Sequence, residues 1–86
     1  MIQLTLYGTL GCHLCEDAEW LIRQAIAESP QRIELTAVDI ADDAGLAERY
    51  GVRIPVLRDR TTDAELAWPF DLPEVMAFLE ELPSGI

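Results

Sequence analysis

Apolar and polar side chains alternate along Ile2-Gln3-Leu4-Thr5-Leu6-Tyr7, the pattern of a half-buried strand. Gly8-Thr9-Leu10-Gly11 breaks the alternation. From Leu14 the period changes, with apolar residues at Leu14, Ala18, Leu21, Ile22, Ala25 and Ile26, a helical stripe that runs to about Glu28. Ser29-Pro30 stops that helix, because proline disfavours helical geometry in the residue before it. Ile33 to Ile40 is rich in β-branched residues and reads as a second strand. Asp42-Asp43 can cap a short helix through Tyr50, with Gly51 placed to terminate it.

Ile54 to Arg58 reads as a third strand, Asp59 to Asp63 as a hairpin turn, and Ala64 to Trp68 as a fourth strand antiparallel to the third. Asp71 followed by Glu74 has capping-box spacing. Val75, Met76, Leu79 and Leu82 form the stripe of a final helix that Pro83-Ser84-Gly85 ends. The predicted order is β-α-β-α-β-β-α. Its βαβ start implies two parallel strands joined by a right-handed crossover. The hairpin adds two strands, for a mixed four-stranded α/β sheet flanked by helices. No linker, repeat or low-complexity run divides the chain, so residues 1–86 form one domain.

Composition narrows the function classes. Half the 86 residues are apolar and mean hydropathy is +0.12, too hydrophobic for a disordered segment. Sixteen acids face six bases, all arginine, for a net charge of −10. Phosphate binding needs basic residues to displace counterions, so this balance argues against nucleic acid and equally against anionic lipid. No apolar run approaches the roughly 20 residues that span a bilayer. The first basic residue is Arg23, so the start lacks the charged and apolar regions of a secretory signal. A cytoplasmic monomer is expected. In that compartment ordinary thiols stay reduced, which argues against a structural staple for the two cysteines.

Those cysteines stand as Cys12-His13-Leu14-Cys15, where the first loop enters the first helix. A CxxC beside a βαβ pattern is a redox signature. At the helix N-terminus, unpaired N–H groups and the macrodipole favour a Cys12 thiolate. Cys15, one turn inward and less exposed, can close a small disulfide ring with it. Cys12 would then attack a substrate disulfide and Cys15 resolve the mixed disulfide. Haem attachment needs His directly after the second cysteine, where Glu16 stands. A zinc site needs four ligands, and two Cys plus one His would require a partner chain or carboxylates. A dimer holding an iron–sulfur cluster through Cys12, and a non-catalytic redox-sensing or protein-interaction module, remain as alternatives.

His13 admits two roles: a positive charge near Cys12 that stabilises the thiolate, or an exposed loop residue. Glu16 and Asp17 suit a helix N-terminus but oppose thiolate formation. Asp39 reads as a polar strand end, and Gly8-x-x-Gly11 as turn chemistry bringing backbone close to Cys12.

Tyr7-Gly8-Thr9-Leu10-Gly11-Cys12-His13-Leu14-Cys15-Glu16-Asp17-Ala18 resembles the short bacterial branch of the glutaredoxin-like proteins. Val38-Asp39-Ile40, Tyr50-Gly51-Val52 and Arg53-Ile54-Pro55-Val56-Leu57 extend the likeness over nearly the whole chain. The resemblance implies a thioredoxin-like fold, nucleophilic Cys12, resolving Cys15 and a cis peptide before Pro55, with the Ile54 backbone pairing with the substrate chain. A proline at the start of a strand needs no cis bond by itself. Two departures concern glutathione. The family's cation before the motif is replaced by uncharged Thr9-Leu10-Gly11, and its Gly-Gly-Asp by Trp68-Pro69-Phe70-Asp71. Asp71 serves as a helix cap or a glutathione contact; Trp68 and Phe70 pack on the last helix or wall a substrate groove. Arg53, beside Ile54-Pro55, is the better substitute carboxylate anchor and Arg58 the other. The expectation is a thiol–disulfide oxidoreductase with no bound cofactor, acting on protein or small-molecule disulfides. Its reductant is of the thioredoxin or glutathione type, with glutathione as co-substrate at most.

Overall fold

The computed structural model of the chain describes residues 1–83. Four strands, β1 (Ile2–Gly8), β2 (Ile33–Asp39), β3 (Val56–Asp59) and β4 (Glu65–Ala67), form one sheet in the order β2-β1-β3-β4. Helices α1 (His13–Glu28), α2 (Ala44–Tyr50) and α3 (Leu72–Glu81) complete the predicted order. β1 pairs parallel with β2 and antiparallel with β3, and β3 pairs antiparallel with β4. Ser84 and Gly85, read as part of the final stop, lie outside the described residues.

β1 is central, and this corrects the half-buried reading of its alternation. Ile2, Leu4 and Leu6 enter the main core with Ala18, Ile22 and Ala25 of α1 and Val75 and Leu79 of α3. Tyr7, from the opposite face, enters a second cluster with Ile40, Tyr50 and Val56. Tyr50 is fully buried and stacks on Tyr7 with ring centroids 4.4 Å apart. Each such buried large side chain contributes about 1.5–3 kcal/mol of transfer free energy, which holds the motif-bearing end of β1 from both faces. β2 lies at an edge and alternates over its first four residues, with Ile33 and Leu35 on the core and Glu34 and Thr36 exposed, before Ala37, also exposed, breaks the pattern.

Local hydrogen bonds move several predicted boundaries. β2 ends at Asp39 rather than Ile40, because the Asp39 carboxylate accepts the Ala41 N–H at 2.8 Å and tightens Ile40–Asp42 into a 3₁₀ turn. Of Asp42-Asp43, only Asp43 caps α2, accepting the N–H groups of Gly45 and Leu46. Gly51 ends α2 in right-handed geometry (φ −50°), not the left-handed form. Its glycine is required by proximity instead, since a Cβ there would stand 2.4 Å from the Ala47 carbonyl oxygen. β3 begins at Val56 rather than Ile54, because the Arg53 and Ile54 N–H groups are donated back to the Tyr50 carbonyl at 2.8 and 3.1 Å. Asp59 is almost fully buried, and its carboxylate shapes the hairpin turn by accepting the Thr62 N–H and hydroxyl at 3.0 and 2.7 Å. At α3 the capping box is complete: Asp71 accepts the Glu74 N–H, and the Glu74 side chain accepts the Asp71 N–H.

Candidate dithiol site

Gly11 adopts φ +77°, a conformation glycine enters at little cost, and this turns the chain so that Cys12 becomes the N-cap of α1. The Cys12 Sγ accepts the Cys15 N–H at 3.1 Å, while the Cys12 carbonyl accepts the Glu16 N–H at 3.2 Å. Cys12 and Cys15 are joined as a disulfide with Cα atoms 5.2 Å apart. Exposure separates them as their positions on the helix predict: Cys12 is half-buried and Cys15 only 9% exposed. Cys15 fits because β1 carries no side chain opposite it. A Cβ on Gly8 would lie 3.0 Å from the Cys15 Sγ and 3.2 Å from its Cβ. Gly8 therefore makes room for the inner cysteine, rather than bringing backbone toward Cys12 as the loop reading had it.

His13 is the first helical residue and almost fully exposed; its Nδ1 lies 3.6 Å from the Glu16 carboxylate. A proton on His13 thus faces an acid of its own turn. An open depression of about 350 Å³ adjoins the disulfide on the β2 side, lined among others by Leu10, Glu16, Glu19, Val38 and Asp39. Among the described residues no group of three or more His, Cys, Asp or Glu is placed to hold a metal ion.

The Ile54–Pro55 peptide is cis. Neither residue lines the depression beside the disulfide. With the Ile54 N–H held by Tyr50, substrate pairing through that donor would first exchange an internal bond. Arg53 is also engaged. Its Nη2 donates to Glu65 at 3.0 Å, and its guanidinium lies 5.5 Å from the centroid of the Tyr50 ring. Glu65 accepts the Tyr50 hydroxyl at 2.6 Å and lies 3.8 Å from Arg49. The Tyr50 hydroxyl bond and the arginines hold the Glu65 carboxyl below its usual range despite partial burial. Burial, then the Glu65 carboxylate, pushes the Tyr50 phenol up. Arg58 is tied to the Tyr7 hydroxyl at 3.2 Å and to Asp63, bonds that strengthen its hold on its proton. Both candidate anchors for a free carboxylate thus already hold protein groups. The clamp on Tyr50 and Arg53 joins residues 15 and 12 positions apart, and no sequence pattern announces it.

Trp68, Phe70 and Asp71 come together in a second groove, on the α3 side of α1, with Asp17, Trp20 and Leu21. Phe70 is at the same time a core residue, 5% exposed, with its ring edge-on to Trp68 at 5.0 Å. Trp68–Pro69 is a second cis peptide. Trp20 and Asp17 were not among the predicted site residues. The signal that could have found them is an indole standing off the apolar stripe of α1, 64% exposed.

A four-stranded mixed sheet with a CxxC at the first βα junction defines a small thioredoxin-fold domain with a vicinal dithiol. A family model described as Glutaredoxin-like domain (DUF836) matches residues 3–80, and the chain belongs to that family. It is similar to the X-ray structure of the structural-genomics target protein XcR50 from X. campestris. The two share 45% identity over 93% of this chain and 99% of that one, with a TM-score of 0.79. The solution structure of protein Ne2328 from Nitrosomonas europaea is 32% identical over 90% and 89% of the two chains, with a TM-score of 0.75. Thioredoxin 1 from Thermosipho africanus, 15% identical over 91% and 90% of the chains, shares the fold with a TM-score of 0.66. No curated protein matches the chain.

Proposed function

We propose that this domain is a thiol–disulfide oxidoreductase working through a two-cysteine exchange. One observation carries the reading: Cys12 caps α1 and accepts the Cys15 N–H while bonded to the less exposed Cys15. In the reduced protein the same N–H and the helix dipole stabilise negative charge on the Cys12 sulfur. The thiolate attacks one sulfur of a substrate disulfide, and the other sulfur leaves as a thiolate that takes up a proton. The Cys15 thiol loses its proton and attacks the Cys12 sulfur of the mixed disulfide, releasing the second substrate thiol. Substrate gains two electrons and two protons, and the domain is left as the disulfide. A dithiol reductant, or two molecules of a monothiol, restores the starting state.

A protein dithiol suits this site better than glutathione as the reductant. Glutathione carries two carboxylates, and the guanidiniums that would receive them are committed: Arg53 to Glu65, and Arg58 to Tyr7 and Asp63. The cytoplasm is the compartment in which such a reductant would keep the pair cycling.

The test is disulfide turnover followed through NADPH oxidation, coupled in parallel to thioredoxin with its reductase and to glutathione with its reductase. Turnover in the first arm, abolished by Cys12→Ser, is expected. Cys15→Ser should instead accumulate a mixed disulfide detectable by mass. Alkylation of the reduced protein should modify Cys12 well before Cys15. Equal alkylation rates, or activity surviving Cys12→Ser, would overturn the assignment. Absence of turnover in both arms, with the disulfide still forming, would favour a redox-sensing module, and a visible-absorbing cluster on purification a cluster-binding dimer.

A further inference from the structure

We propose that the groove between α1 and the Trp68–Asp71 segment docks a basic residue of a protein substrate close to its reacting disulfide. An arginine or lysine side chain would lie against Trp20 and Trp68, with its charge between the carboxylates of Asp17 and Asp71. This rests on the exchange reading above and names the substrate class for it.

The groove encloses about 420 Å³ and is lined by three pairs of contrasting character: two indoles, Phe70 with Leu21, and two aspartates. Trp20 leaves 64% of its surface in water although α1 offers a core face one position away, at Leu21. The Asp17 side chain makes no hydrogen bond or ion pair among the described residues, and Asp71 uses only Oδ1 in capping, toward the Glu74 N–H at 2.9 Å. None of the six arginines lines the groove; among the described residues the cation–π contacts are both made to Tyr50. One exposed indole, a second that is half-buried against the core, and two carboxylates therefore share the groove, and among the described residues no arginine lines it.

That combination selects its occupant. The negative face of an indole attracts cations, and a guanidinium also stacks on it. A carboxylate on either side adds charge-assisted hydrogen bonds. A purely apolar segment would cover the rings but strip water from two aspartates without replacing it, which is unfavourable. An acidic segment meets like charge, in the groove and across a domain of net charge −10. Lys and Arg stems are themselves apolar and suit Phe70 and Leu21.

Position follows from helix geometry. Asp17 and Trp20 follow Cys12 by five and eight residues, which is about 7 and 12 Å along α1 at about 1.5 Å per residue. An extended peptide covers that distance in about two to four residues. Asp17 and Trp20 are also turned about 140° and 80° around the helix from Cys12, so the rise is a minimum. The favoured substrates are therefore disulfides with an arginine or lysine at least two to four residues from the cysteine that Cys12 attacks.

The test separates docking from chemistry. Peptides with serine in place of the reacting cysteine, and Arg, Leu or Glu three residues away, are titrated into the oxidised protein. The indole N–H signals of Trp20 and Trp68 are followed by NMR. The Arg peptide should move both signals and bind at least about fivefold more tightly than the Leu peptide, the size of one partly desolvated cation–π contact. The Glu peptide should bind more weakly still. Trp20→Ala and Asp17→Asn, both at exposed helix positions, should each weaken the Arg peptide about three- to tenfold, and added salt should weaken it too. Equal binding of the three peptides, or no movement of either indole signal with any, overturns the proposal. The cysteine-containing disulfide peptides are then assayed for exchange with the reduced protein. Exchange without an Arg preference refutes the docking site and leaves the dithiol mechanism standing. Arg-selective binding of the serine peptides without exchange supports the docking site and refutes the mechanism.

Discussion

Glu65 is the residue whose removal should reveal most about how the loop before Pro55 is held. Its carboxylate accepts the hydroxyl of Tyr50, whose side chain is fully buried, at 2.6 Å, and the Arg53 guanidinium at 3.0 Å. Glu65→Ala leaves the phenol hydroxyl without its acceptor inside a closed aromatic cluster, which costs about 1–3 kcal/mol. The ion pairs join this half-buried carboxylate to the exposed guanidiniums of Arg53 and Arg49 and add about 0–1 kcal/mol. A loss of about 1–4 kcal/mol follows, equivalent to a fall in Tm of about 4–8 °C per kcal/mol for a domain of this size. Urea unfolding across pH gives the sharper readout. The folded pKa of Glu65 lies below its ordinary value of 4.5, so its contribution is complete above that pH and is lost as pH falls through the folded value. The raised Tyr50 pKa acts at the other end. Stability declines above pH 10, where the unfolded chain ionises first. Glu65→Gln retains an acceptor for Tyr50 and should recover part of the loss, while removing that share of the acid-side slope. Glu65→Ala with a midpoint within about 0.5 kcal/mol of the parent, or Glu65→Gln with an unchanged acid slope, would refute the clamp.

Other outcomes follow from the same geometry. Gly8→Ala should lower stability by about 1–2 kcal/mol through overpacking against Cys15 and shift the reduction potential, since the new methyl presses on the inner sulfur; redox titration against a dithiol couple checks both. Asp71→Ala should cost about 0.5–2 kcal/mol as a lost N-cap while Asp71→Asn stays near the parent, both measured by urea unfolding. Glutathione-coupled turnover should be poor, and Arg53→Ala should leave it unchanged because Glu65 already holds that guanidinium; a large loss on Arg53→Ala would make Arg53 the carboxylate anchor after all.

The order of elements and the position of the dithiol were legible in the residues because both are local matters. Alternation in Ile2–Tyr7, the 3.6-residue stripe from Leu14 to Ile26, the Asp71/Glu74 capping box and the CxxC spacing each lie within a single strand or helix and its cap. Backbone hydrogen bonding and side-chain periodicity act over that range, so the sequence by itself determined a β-α-β-α-β-β-α chain with Cys12 at a helix start. What joins distant segments was decided by tertiary structure. β1 is buried on both faces because Tyr50, from α2, stacks on Tyr7 across the sheet. Gly8 is needed for the Cys15 sulfur and not for a turn. Arg53, which its place beside Pro55 recommended as a ligand anchor, is claimed by Glu65 of β4, and Trp20 comes to share a groove with Trp68 only through the packing of α1 beside the Trp68–Asp71 segment. The physical reason is common to all of these: a charge or a ring takes whichever partner packing brings within a few ångströms, and contacts made across the fold leave no periodic trace along the chain.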